Sequence, residues 1–276
     1  MMVKIHFISG LPRSGSTLLA ALLRQNPDFR AGMTSPLYQI FAGTLRNVSG
    51  FNEAHMFLSE QQRHDILLGI FQSYFSNGDG CIINFDTSRA WTTKTNQIFD
   101  LFPHARMICC VRNISWIVES FERIITRNRF ELSRMFGFDP NKNVYSRANQ
   151  LTAPDGMIGV AFNNLREAYF GMHSDKLMLI RFETLTKNPE HALKSLYSFI
   201  GEEWADNVHQ YEKVDYQASE FDLQLGTPGL HTVRGPVKPF DYTKPSILPP
   251  DIFEAHKEQD FWNNDQAMAK SNAIVV

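Results

Sequence analysis

The sequence predicts an α/β chain with a P-loop-like, three-layer fold, in which helices flank a central, mainly parallel sheet. Three observations carry this. An apolar run over 3–8 breaks at Gly10 into a loop of Gly, Ser and Thr that opens directly into a helical stretch. Further apolar runs at 81–85, 106–111 and 176–181 have the continuous hydrophobicity of strands buried on both faces. Helical segments separate these runs, the pattern of βαβ units with right-handed crossovers.

In the first unit, Leu18, Leu19, Leu22 and Leu23 recur at helical spacing after the loop. The loop reads Gly10-x-x-x-x-Gly15-Ser16-Thr17, with Ser16 where a nucleoside triphosphatase carries its lysine. Arg13 stands inside the loop and offers a fixed fork of donors instead of a point charge. A strand feeding a helix in this way aims backbone N–H groups and the positive helix end at one point, which binds phosphate. The alternative, a purely structural turn, is disfavoured by the position directly after a strand.

Helices are expected over 61–75, with Ile66, Leu67, Ile70, Phe71 and Tyr74 on one face, and over 113–129, with Ile117, Phe121, Ile124 and Ile125 inward. Two more are expected over 160–171 and Pro189–Ile200, the latter with proline in its first turn. Residues 136–154, rich in Asn, Pro, Gly and Asp, read as a long loop. Residues 226–250, rich in Pro and Gly, are too long for an ordinary connector and read as a covering segment. With no repeat and no second composition, 1–276 reads as one domain.

At 276 residues, 43% hydrophobic and formal net charge -2, the chain can bury a sizeable core. No basic stripe points to nucleic acid. Cys81, Cys109 and Cys110 sit in apolar runs and read as buried thiols, with neither a disulfide framework nor a metal site. No leader or membrane-length apolar run is visible, so the expected location is cytoplasmic. A homodimer is one assembly left open.

Strand ends should face the ligand in this architecture. The second strand ends at Asp86, with Arg89 and Lys94 nearby. Asp86 there reads as a Walker-B-like acid, as a base or positioning group for an acceptor hydroxyl, or as a helix N-cap. The third strand ends at Arg112, and Ser120 lies eight residues on; together they can reach one anion. Arg123 and Arg127 share that neighbourhood, Arg127 reading as a solvated helix arginine.

The run Gly-Leu-Pro-Arg-Ser-Gly-Ser-Thr followed by a later apolar strand, Arg112 and Ser120 resembles the sulfotransferases that use 3′-phosphoadenosine 5′-phosphosulfate (PAPS). The stretch from Phe102 to Ile114, Phe182-Glu-Thr-Leu before Pro189, and Phe199-Ile-Gly are similar too, so the resemblance covers nearly the whole chain. Pro-Arg-Ser-Gly-Ser-Thr-Leu with Asn26-Pro27 is closest to the tyrosylprotein sulfotransferases and their bacterial relatives. The resemblance implies that Pro12, Arg13, Ser14, Gly15, Ser16 and Thr17 hold the 5′-phosphosulfate, and Arg112 and Ser120 the 3′-phosphate. It sets Arg181 near the adenosine side. His231, Thr232 and Arg234, with Lys238 as a weaker candidate, belong to a cover over the nucleotide.

One departure stands out. Tyrosylprotein sulfotransferases carry a glutamate after the first helix, where this chain reads Ala31-Gly-Met-Thr-Ser-Pro36. Cytosolic sulfotransferases carry a histidine where this chain has Asp86. Asp86 therefore inherits the base role by position, with His231 and His55 next in line.

The implied reaction is in-line sulfuryl transfer from PAPS, leaving adenosine 3′,5′-bisphosphate (PAP), to a hydroxyl of a peptide tyrosine, a sugar or a small alcohol. It needs no metal; Arg13, Arg89 and Lys94 would stabilise the developing charge. Its rivals are a P-loop kinase and a non-catalytic nucleotide-binding protein. Aromatic residues of 34–57 and 136–154 (Tyr38, Phe41, Phe51, Phe57, Phe136, Phe138 and Tyr145) are candidates for the acceptor wall.

Overall fold

The computed structural model describes residues 4–50, 53–76 and 82–276. The first residue of the apolar run 3–8, Phe51 and Cys81 lie outside them. Strand β1 (Lys4–Gly10) leads through the loop into helix α1 (Ser16–Leu23), followed by β2 (Phe29–Ala31), α2 (Leu37–Val48) and α3 (Glu60–Phe75). Next come β3 (Ile83–Thr87), α4 (Thr95–Leu101), β4 (Met107–Val111), α5 (Ile114–Arg127), α6 (Val144–Thr152) and α7 (Met157–Phe170). Then follow β5 (Leu177–Arg181), α8 (Phe182–Lys187), α9 (Pro189–Ile200), β6 (Val214–Tyr216) and α10 (Ser219–Gln224). The chain continues through β7 (Val233–Gly235), α11 (Pro250–Ala255) and α12 (Asp265–Met268) to β8 (Ile274–Val275).

Six strands form one parallel sheet in the order β2-β3-β1-β4-β5-β8. Their side chains alternate between two cores. On one side, Ile5, Phe7, Met107, Cys109, Leu177 and Leu179 meet α2, α3, α5 and α7. On the other, Ile8, Ile108, Cys110, Met178 and Ile180 meet Leu19, Leu22 and Leu23 of α1 and Leu193 and Leu196 of α9. Each of these fully buried leucines contributes about 1.5–3 kcal/mol relative to exposure. Cys109 and Cys110 are free and buried, and burial pushes both thiols up.

The structure corrects four expectations. The expected loop 136–154 contains α6. Asn143 caps it by accepting from the Ser146 N–H at 2.9 Å, but only Ala148 and Leu151 are buried, so its mostly polar surface hides the helical period. Segment 226–250 contains β7, which pairs antiparallel with β6; three-residue strands are too short to show alternation. Strands β2 and β8, of three and two residues, widen the sheet at its two edges. Finally, β3 extends to Thr87, which puts Asp86 inside the strand.

After β1 the chain runs to the edge strand β2 and back to β3, then crosses to lay β4 on the other flank of β1. The carboxyl end of β1 is therefore the switch point where open α/β sheets bind ligands. Gly10 makes the exit from it: its φ is +103°, and a Cβ there would stand 2.2 Å from the Cys110 carbonyl oxygen. Leu11 N–H donates to that same oxygen at 2.9 Å. Gly10→Ala is expected to lower stability in urea unfolding by about 2 kcal/mol or more, since both the left-handed backbone and the close strand contact exclude a side chain.

Candidate functional site

At this switch point lies a cleft of about 730 Å³. Its floor is the loop and the start of α1: Pro12, Arg13, Gly15, Ser16, Thr17 and Leu18 all line it. Gly15 has φ +99°, and a Cβ would press within 3.1 Å of Phe182 and Leu185. Among the described helical bonds, the first is Leu19 N–H to Gly15 C=O at 2.8 Å, so the preceding N–H groups of α1 remain for a ligand. Ser14 is different. Its hydroxyl donates to the Leu11 and Cys110 carbonyls, the latter at 2.8 Å, and its side chain is wholly buried. Its side chain staples the loop to β4 and is not part of the cleft wall.

Arg13 adopts a left-handed backbone, φ +58°, unusual for a residue with a side chain. Its Nε donates to Ser120 Oγ at 3.1 Å and its Nη1 to the Leu230 carbonyl. Burial, with Arg112 beside it, pulls its pKa down to about 10, so it stays charged at neutral pH. Loop, α5 and the 226–250 segment thus meet at one guanidinium.

Arg112 sits at the carboxyl end of β4, almost fully buried, between the rings of Phe182 at 4.2 Å and Phe240 at 4.6 Å. It lines the cleft, and its Nε and Nη2 have no hydrogen-bond partner among the described residues. Burial lowers its pKa, opposed by Tyr242, Glu183 and Glu119. Both nearby carboxylates are engaged by other donors. Glu183 accepts from Tyr242, and Glu119 from Arg123 and Ser246. Unpaired donors of a buried cation are expensive, and an entering anion satisfies them. Ser120 lines the same cleft.

Asp86 behaves otherwise than the sequence suggests. Its carboxylate is 1% exposed and absent from the cleft wall. One oxygen accepts from Trp91 Nε1 at 2.7 Å, the other from Ser35 Oγ, and Ser35 Oγ in turn accepts from Leu37 N–H at 3.0 Å. Asp86 therefore latches the start of α2, which carries Tyr38 and Gln39 to the cleft. The helix cap expected of it is made by Ser88, whose hydroxyl accepts from Ala90 N–H. Trp91 is itself locked among Phe7, Tyr38, Phe41 and Phe71.

Of the other expected residues, Arg89, His231 and Thr232 line the cleft. Arg89 contacts Met157 Sδ at 3.5 Å, and burial lowers its pKa. Lys94 ends the short turn after β3, outside the wall. Arg181 is turned away, its Nε donating to Asn263 Oδ1 at 2.7 Å. Arg234 is exposed and donates to Gln217, and Lys238 is exposed too. Of the aromatic candidates, Tyr38 lines the cleft, whereas Phe41 and Phe136 are core and Phe57, Phe138 and Tyr145 are exposed. Met33, Met135 and Met157 complete the apolar wall, with Phe221 and Leu225.

Three participants were not foreseen: Ser35, Thr87 and Asp222. The Thr87 hydroxyl is buried, lines the cleft and lacks a partner among the described residues; its place at the end of β3 was its only sequence signal. Asp222 is fully buried and binds His231 twice, at 2.8 Å from the backbone N–H and 2.6 Å from Nδ1. Nothing in its surroundings in sequence marks it. Among the described residues, no group of His, Cys, Asp and Glu is arranged to hold a metal ion, and no helix is long and apolar enough to cross a membrane.

Residues 6–206 match the sulfotransferase family. The protein-tyrosine sulfotransferase 1 of Danio rerio is 26% identical over 224 residues, covering 79% of this chain and 58% of its own. The protein-tyrosine sulfotransferase 2 of Gallus gallus is 25% identical over 217 residues, covering 75% and 54%. The chain thus spans little more than half the length of these two relatives. Two solved structures share the fold: the sulfotransferase domain from the curacin biosynthetic pathway (TM-score 0.51, 18% identity, 98% and 96% of the chains) and a mouse sulfotransferase complexed with PAP (0.55, 14%, 98% and 88%).

Burial raises the Asp86 pKa from 3.8 to about 6, against the pull of its two hydrogen bonds. A folded-state pKa above the unfolded value means the folded protein binds the extra proton, so this contribution to stability is present near pH 4 and lost as pH rises through 6. Asp86→Asn keeps both hydrogen bonds with reoriented donors. In urea titrations its stability relative to the parent is expected to rise by roughly 1–3 kcal/mol between pH 4 and 7.5.

Proposed function

The chain belongs to the sulfotransferase family, and on that premise we propose that it transfers a sulfuryl group from PAPS to an acceptor hydroxyl, releasing PAP. The observation that carries this is Arg112, which lines the cleft at the carboxyl end of β4 and holds two buried donors without a partner among the described residues. They suit a 3′-phosphate, with Ser120 beside them. The glycine-formed loop and the free N–H groups of α1 suit the 5′-phosphosulfate, and the absence of a lysine at Ser16 suits a donor held by arginine and backbone.

In this reading the transition state gathers negative charge on the sulfuryl oxygens and the bridging oxygen of the leaving phosphate. Arg13, whose Nε and Nη1 already reach Ser120 and Leu230, stabilises that charge, with Arg89 across the cleft. Segment 226–250 acts as the cover, closed here through Leu230. Asp86 positions Ser35 and α2 without meeting the acceptor. Lys94, Arg181 and Arg234, directed elsewhere, take no part. Tyr38 and the three methionines form an adaptable apolar wall, and a peptide tyrosine is the acceptor supported by the names of the relatives. The buried free thiols fit a reduced, cytoplasmic setting.

Calorimetry of PAP and AMP tests the reading. Arg112→Ala is expected to weaken PAP about 10–100-fold, the worth of charge-assisted hydrogen bonds to phosphate, and to change AMP by less than about threefold. Equal losses for both ligands would assign Arg112 a structural role and remove the main support.

A further inference from the structure

The proposed reaction needs a group that takes the acceptor proton, and the latched Asp86 is not on the cleft wall. His231 is. It follows Leu230, whose carbonyl holds Arg13, so the ring stands next to the loop that binds the donor. Its orientation is fixed from two sides. Asp222, wholly buried, accepts from both its backbone N–H and its Nδ1, and the Phe221 ring meets it edge-on at 5.7 Å. With Nδ1–H committed to a carboxylate, the neutral ring presents the Nε2 lone pair. That nitrogen has no partner among the described residues. Buried carboxylate, imidazole and cleft stand in the order of an orienting acid and a general base.

We infer that His231, oriented by Asp222, is the general base of the transfer, an assignment that rests on the sulfotransferase reading. As the acceptor oxygen bonds to sulfur, its proton passes to His231 Nε2. The bond between sulfur and the bridging phosphate oxygen breaks, its electron pair leaves with PAP, and the imidazolium later releases the proton to solvent. The local field keeps the ring in the required state. Burial lowers the His231 pKa, Arg13 and Arg89 lower it further, and Asp222 opposes them. The imidazole is thus neutral and receptive at pH 7. Asp222 is a positioning residue: an asparagine there would offer its amide donor to Nδ1, move the ring proton to Nε2 and block acceptance.

The test uses labelled PAPS with 2-naphthol, a tyrosine peptide, a primary alcohol and p-nitrophenol, the last a phenol already largely ionised near neutral pH. His231→Gln is expected to lower kcat 10²–10⁴-fold with the first three and far less with p-nitrophenol, while PAP affinity stays within about threefold. Asp222→Asn should show the same acceptor dependence, which a merely structural defect would not, and free imidazole should partly restore His231→Ala. Losses equal across all acceptors, or a His231→Gln rate within threefold of the parent, would overturn the assignment alone. A parent protein that binds PAP but transfers to no acceptor would instead remove the sulfotransferase reading and the base with it.

Discussion

Positive charge held without enough negative charge to match it governs this cleft. Arg13, Arg89 and Arg112 line one space, and two buried donors of Arg112 have no partner among the described residues. The cation–π contacts with Phe182 and Phe240 offset part of its desolvation. They supply no hydrogen-bond acceptor. Leaving such donors unsatisfied costs about 1–3 kcal/mol each, more for a charged group. The surrounding acids are diverted: Glu183 to Tyr242, Glu119 to Arg123 and Ser246, Asp222 to His231. The fold engages these carboxylates with other partners, which in the proposed reading leaves the guanidinium groups to a ligand's anions.

The backbone that makes this possible is pinned by few contacts. Gly10 passes close against β4, and the Ser14 hydroxyl ties the loop to the Leu11 and Cys110 carbonyls. Gly15 lets Phe182 and Leu185 approach the start of α1, and the same Phe182 ring then covers Arg112. One short stretch of sequence therefore packs against both the loop and the strand end that carries Arg112. On the side of the cleft formed by α2, Asp86 plays the comparable part through Trp91 and Ser35. The two halves meet at Arg13 through its bonds to Ser120 and Leu230.

How much of this is legible in sequence depends on whether a residue's role follows from its own element. The strand-loop-helix unit, the buried strands β4 and β5, the helix Pro189–Ile200 and the placing of Arg112 at a strand end all follow from local pattern. So does the place of Arg13 inside the loop. Asp86 was placed at the right strand end, yet whether its carboxylate faces the cleft or α2 depends on Ser35 and Trp91, contacts that local pattern does not contain. Arg181 likewise stands at a strand end but is claimed by Asn263, more than eighty residues on. Asp222 is an ordinary acid in a six-residue helix until the 226–250 segment folds back and brings His231 to it. Helix α6 is hidden because Ala148 and Leu151 are its only buried residues, so burial leaves no period to read.

The account stands most directly on where the two phosphates of PAP bind. A crystal structure of the complex should place the 3′-phosphate within hydrogen-bond distance of Arg112 Nε and Nη2 and of Ser120, satisfying the two unpaired donors. It should place the 5′-phosphate on the N–H groups of Ser16 and Thr17 at the start of α1. A nucleotide bound elsewhere, or one that leaves Arg112 unpaired between Phe182 and Phe240, would contradict the central claim that this charge imbalance exists to hold the donor.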